Sequence, residues 1–137
     1  MRLNRIGAAV AERYREDAVA ALESLTAESS DPIDALRQYP MMFRQALEDG
    51  NRMCMCSYMA AEYDDLPDAV KAEVTAFADV NVAWLADSLT RASAVDGDSD
   101  SRARAIYAAV AGAQLIARSR ADVAVYDALI ESYRSAG

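Results

Sequence analysis

Apolar residues recur every three or four positions along most of the chain, the spacing of amphipathic helices. Ile6, Val10, Tyr14, Ala18, Ala21 and Leu25 form one such stripe and predict a first helix over Arg5 to Glu28. Arg13, Arg15, Glu16, Asp17 and Glu23 fall on its other faces. Ser29-Ser30-Asp31-Pro32 ends this helix and starts the next. Asp31 is a good N-cap, Pro32 takes the first helical position, and Asp34 complements the helix dipole. The second helix is expected to reach Asp49, with Gly50-Asn51 closing it. Pro40 is expected to kink or split it near Tyr39, because proline has no N–H to donate and crowds the preceding turn.

A third helix is expected over Arg52 to Tyr63. Met53 to Ala61 carries no charge, and its apolar groups fall all round the helical wheel, so this helix is expected to be central and buried on all sides. Leu66-Pro67-Asp68 opens a fourth helix that reaches Ala92, roughly 39 Å long. Val70, Val74, Phe77, Asn81, Trp84 and Ser88 make its inner stripe. Val95 to Ser101 reads as a polar loop. A fifth helix over Arg102 to Arg120 carries Ile106, Val110, Ala113 and Ala117 on one face and Ala109, Gly112 and Ile116 on another. Asp122 caps a sixth, which runs to Ser135 with Val123, Tyr126, Ile130 and Tyr133 aligned. No stretch sustains a period-two alternation. The expected fold class is an all-α bundle of five to six helices in a single domain over 1–137.

Composition narrows the chemistry. With 53% apolar and 26% charged residues, the chain is neither disordered nor built to span a bilayer. No apolar run follows the charged start, so no signal peptide is expected. Histidine is absent, which excludes Ser-His-Asp and Cys-His catalysis and every His-ligated metal site. A single lysine, Lys71, makes a Schiff-base or P-loop enzyme a poor fit. The net charge of −8 opposes contact with phosphate backbones. Two cysteines, Cys54 and Cys56, are too few for a disulfide scaffold and suit a reducing, cytoplasmic setting. No enzyme activity, cofactor or membrane contact is expected.

Three clusters invite a metal or catalytic reading and read better otherwise. Asp96-Gly97-Asp98-Ser99-Asp100 starts like a calcium loop, but position 6 would be Ser101 and position 12 Tyr107, so the turn glycine and the bidentate carboxylate are missing. Its acids suit the start of the fifth helix instead. Met53-Cys54-Met55-Cys56 offers soft ligands, yet neighbours two apart on a helix point to different sides, so core or pocket lining is the better reading. Glu62, Asp64, Asp65 and Asp68 flank a helix junction, where solvated acids are ordinary. Asn81 and Gln114 are more informative, since each interrupts an apolar face. A buried amide either bonds between helices or orients a ligand in an apolar pocket. The small residues from Ala108 to Ala113 allow a close helix approach, within the chain or to a second copy.

These segments, in this order, resemble one known family. Ile6-Gly7-Ala8-Ala9-Val10-Ala11-Glu12-Arg13-Tyr14 is similar to the start of the first helix after the DNA-binding head in TetR-family repressors. Asp31-Pro32-Ile33-Asp34-Ala35-Leu36 resembles the family's next helix start. Asp49-Gly50-Asn51-Arg52-Met53-Cys54-Met55-Cys56 with Met59-Ala60-Ala61-Glu62 resembles a segment of one subgroup. Leu66-Pro67 followed by Val70, Phe77, Trp84 and Leu85 continues the likeness. Ala111-Gly112-Ala113-Gln114-Leu115-Ile116-Ala117-Arg118 resembles the subgroup's dimerisation helix. The likeness spans Ile6 to Tyr133. The family's helix-turn-helix head has no counterpart in this sequence, and Met1 to Asn4 stand as a vector scar, an internal start or a true terminus.

The resemblance implies the ligand-binding and dimerisation domain of a TetR-like transcriptional regulator, with DNA reached only through the missing head. The alternative is a headless interaction protein that dimerises with full-length relatives or another partner. The expected homodimer pairs the fifth and sixth helices of two copies through Ala109, Gly112, Ala113, Ile116, Val123, Tyr126 and Ile130. An apolar pocket is expected between Met55, Cys56 and Met59 on one side and Phe77, Asn81 and Trp84 on the other. Tyr39 and Phe43 would close it, the bend at Pro40 would give it room, and Asn81 would orient a small, mostly apolar effector.

Overall fold

The computed structural model describes residues 2–93 and 97–136, apart from the side chains of 2–6, 55–56 and 136. Met55 and Cys56, expected in the pocket, therefore have side chains outside the described residues, as does Ile6. Asp96 lies outside them altogether. Six α-helices follow one another: α1 Arg2–Glu28, α2 Pro32–Glu48, α3 Met55–Ala61, α4 Asp68–Arg91, α5 Ser99–Arg120 and α6 Val123–Ala136, with a 3₁₀ turn at Tyr63–Asp65. No strand occurs among the described residues. The all-α bundle expected from the sequence is the fold observed.

The helix ends follow the caps. Asp31 accepts the Asp34 N–H at 2.8 Å, and the Asp34 carboxylate accepts the Ser30 N–H at 3.2 Å, so two backbone donors at the start of α2 are satisfied. Asp98 accepts from the N–H groups of Asp100 and Ser101 at 3.0 and 3.2 Å. Hydrogen bonds from Ser101 hold its carboxyl below the ordinary value. Asp122 accepts the Ala124 N–H at the start of α6. Gly50 and Asn51 both take positive φ, 82° and 56°, which turns the chain out of α2.

Two expectations need correcting. α2 runs unbroken through Pro40, so the helix is not split there. The Pro40 carbonyl accepts a hydrogen bond from the Tyr126 hydroxyl at 2.5 Å, from α6. The third helix is not the buried centre either. It has only seven residues, and Tyr58 is 58% exposed, with Ala60 and Ala61 exposed beside it. A helix so short presents little area to its neighbours, and absence of charge alone does not enclose it.

The centre is α4, which packs on α1, α2, α3 and α5. Val70, Val74, Phe77, Asn81 and Ser88 are buried along one stripe, and Leu85, Ala86 and Leu89 widen it. That breadth reflects contact with helices on more than one side. Trp84, expected in the inner stripe, is only half-buried. Ion pairs brace the outside: Arg15 to Glu73 at 2.7 Å joins α1 to α4, and Arg44 to Asp127 at 2.7 Å joins α2 to α6. Arg44 also pairs with Glu48 one turn along its own helix.

Candidate functional site

A cleft of about 270 Å³ opens between α1, α2, α4 and α5. α1 contributes Tyr14, Asp17 and Ala18, and α2 contributes Met42, Phe43 and Ala46. Phe77 and Asn81 come from α4, Gln114 from α5, and Cys54 from the segment that leads into α3. The two alanines leave the space that larger side chains at those turns would fill. The walls are mostly apolar, with a few polar groups, the usual make-up of a small-molecule pocket.

Both amides in the cleft are already anchored. Asn81 Oδ1 accepts the Tyr39 hydroxyl at 2.7 Å, and Asn81 Nδ2 donates to the Phe77 carbonyl at 2.9 Å. Gln114 Oε1 accepts the Cys54 N–H and Gln114 Nε2 donates to the Phe43 carbonyl, each at 2.9 Å. Each NH₂ carries a second hydrogen and each carbonyl oxygen a second lone pair, so a fixed amide can still present a polar contact to a guest. The only carboxylate lining the cleft among the described residues, Asp17, is exposed and pairs with Arg13 at 3.1 Å. Among the described residues, no lysine or arginine lines it.

Of the residues expected in the pocket, Phe43, Phe77 and Asn81 meet in this cleft. Tyr39 lies behind it, fully buried, and orients Asn81 through its hydroxyl. Trp84 stacks on Tyr39 with ring centroids 5.6 Å apart and donates its indole N–H to Thr26 at 2.9 Å, which turns it away towards the end of α1. Met59 does not line the cleft. Pro40 lines other grooves, so the space here does not come from a bend at Pro40. Tyr14, Asp17, Ala18, Met42 and Ala46 are the lining residues that were not expected there, while Cys54 and Gln114 had pocket lining as one of their readings. Tyr14 and Ala18 were legible as one face of the first helix, and Gln114 as a polar break in an apolar face.

The expected dimer residues divide in two. Ala113, Tyr126 and Ile130 are buried within the chain's own core, although Ala113 also borders the outer groove between α5 and α6. Val123 packs against that core. Ala109, Gly112 and Ile116 line the same shallow groove with Ala108, Leu129 and Ser132. Ile116 is 49% exposed and Leu115, beside it, 53%.

Burial holds the Tyr39 hydroxyl well above the ordinary tyrosine value near 10, and it raises Tyr126 as well. A raised folded-state value means stability that is fully present below pH 10 and lost as pH rises beyond it. Denaturant unfolding should therefore show a falling midpoint above pH 10. The tyrosinate absorbance of these two rings should develop only with loss of helicity. Ionisation of every tyrosine near pH 10 in a still-folded chain would contradict this.

The likeness of this chain to known proteins is one of structure. No protein-family model matches the chain, and no curated protein matches it. A TetR-family transcriptional regulator from Agrobacterium tumefaciens superposes with a TM-score of 0.88 at 29% identity, covering 95% of this chain and 72% of its own. A TetR transcriptional regulator from Legionella pneumophila gives 0.85 at 21% identity over 95% and 71%. A regulatory protein TetR from Rhodobacter sphaeroides gives 0.83 at 21% identity over 93% and 71%. The six helices of this chain thus have the fold of TetR-family transcriptional regulators.

Proposed function

We propose that this chain is the effector-binding and dimerisation part of a TetR-like transcriptional regulator and that the cleft beside Asn81 and Gln114 takes a small, mostly apolar molecule. The observation that carries the reading is the cleft itself: an apolar space between four helices, with two fixed amides inside a regulator-like fold. The absence of a lining cation among the described residues favours a neutral guest over a strong anion. The net charge of −8 argues that this part does not itself hold DNA.

Dimerisation is supported by Gly112. A Cβ built there would meet nothing within 4 Å in the chain. A mid-helix glycine costs roughly 0.5–1 kcal/mol relative to alanine, and no contact inside the chain offsets that. A second copy lying close along α5 would.

The test is to fill the cleft. Neutral aromatics such as naphthalene and indole are titrated into the unaltered chain and into Ala18→Phe by calorimetry. Ala18 is half-buried at the wall, so a phenyl ring there should occupy the space and weaken binding at least tenfold while the helical content stays unchanged. Equal binding to both proteins, or no binding by either at millimolar probe, would reject the reading.

A further inference from the structure

A second cleft, of about 440 Å³, lies on another side of the bundle, where α2, α5 and α6 converge over the last turns of α4. Its floor is Leu89, Val110 and Ile130, all buried, with Ile33, Leu36 and Ile106 around them. It shares no residue with the cleft beside Asn81. What distinguishes it is charge. Arg37, Arg102 and Arg134 all line it, and among the described residues no carboxylate does.

The arginines gather here although the molecule carries 22 acids against 14 bases. Arg13, Arg15, Arg44, Arg52 and Arg91 each pair with a carboxylate. Among the described residues, none of the three cleft arginines does. Arg134 donates to the Arg37 carbonyl at 2.7 Å, and the Arg102 guanidinium sits 5.2 Å from the centre of the Tyr133 ring. These contacts hold the Arg134 and Arg102 side chains near the cleft without placing a carboxylate against either. Tyr133 also lines the cleft, and its hydroxyl is buried with no hydrogen-bond partner among the described residues. A buried donor left unmatched is costly, and a guest whose acceptor oxygen displaced the atoms that cover it would satisfy it.

We propose that this cleft binds a small amphiphilic anion, a carboxylate with an apolar tail. The tail would cover Leu89, Val110 and Ile130. The carboxylate would meet the arginines, whose planar forks match its two oxygens, and would accept from the Tyr133 hydroxyl. This site is independent of the effector cleft.

Decanoate is the probe, titrated by calorimetry into the full chain and into Arg37→Gln, Arg102→Gln, Tyr133→Phe and Ala18→Phe. Each arginine variant should weaken binding about tenfold, and Arg102→Lys should recover part of the loss. Tyr133→Phe should weaken it several-fold while leaving thermal stability equal or higher, since an unmatched hydroxyl is removed from the empty protein. A hydroxyl with only a structural role would give the opposite sign in stability and no change in binding. Ala18→Phe, which blocks the other cleft, should leave decanoate binding intact. The proposal fails if decanoate gives no heat at millimolar concentration. It also fails if the arginine variants bind as tightly as the unaltered chain, or if Ala18→Phe abolishes binding. That last result would place the anion in the effector cleft instead.

Discussion

Gln114→Leu should lower the stability of the chain by about 3 kcal/mol, since each buried backbone group left without its partner costs roughly 1–3 kcal/mol. Gln114 is 1% exposed. Its amide joins α5 to the Phe43 carbonyl on α2 and to the Cys54 N–H at the entry to α3. Leucine is of similar size and opens little cavity, so the loss isolates the hydrogen bonds from packing. For a domain of this length such a change lowers the thermal midpoint by about 10 °C. Gln114→Glu should also destabilise, by putting a carboxyl where the Phe43 carbonyl needs a donor. Urea unfolding of both variants checks this. A Gln114→Leu protein as stable as its parent would mean that the two backbone groups find other partners, and that α2, α3 and α5 are not tied through this side chain.

Ile116→Arg should change assembly rather than folding. Ile116 is half exposed and borders the outer groove with Ala109 and Gly112, so arginine at this position costs the single chain little. In a symmetric pair the substitution enters the interface twice. Two buried, unpartnered charges should weaken association by on the order of a thousandfold or more. At micromolar concentration the parent should sediment at about twice the chain mass of 14.8 kDa, and the variant at that mass with unchanged helical content. A parent that sediments as a single 14.8 kDa chain would remove the dimer from the proposed function, and with it the explanation of Gly112.

Much of the fold was legible because its helices are long and their ends are marked. Asp31-Pro32, Asp98 and Asp122 fix where α2, α5 and α6 begin through hydrogen bonds that involve only neighbours in sequence. α3 was misread because a short apolar run shows no one-sided pattern, and nothing local reveals that Tyr58 faces outward. The cleft was legible in part for a related reason. Phe77 and Asn81 stand on the face of α4 that lines it, whereas Trp84, a turn further on, is drawn to Thr26 at the end of α1. The contribution of α1 depends on how helices far apart in sequence cross. Cavities are also made by what is missing. Ala18 and Ala46 look like ordinary helix formers in a sequence rich in alanine, and only their meeting with Phe77 and Asn81 around one cleft makes them walls.

The corner after α2 carries a double constraint on one residue. The Asn51 backbone sits at φ 56°, a conformation that glycine and asparagine adopt most readily. Its Nδ2 donates to the Arg118 carbonyl at 3.1 Å, and its own carbonyl accepts from the Arg118 guanidinium at 2.6 Å. Glycine would suit the backbone and supply no amide. Aspartate would tolerate the backbone and have no N–H to offer. Glutamine has the amide and resists the backbone. The last turn of α5 and the exit from α2 are thus clasped through a position at which the genetic alphabet holds a single fully competent letter. Drift there should be narrow, although the residue lies outside both clefts.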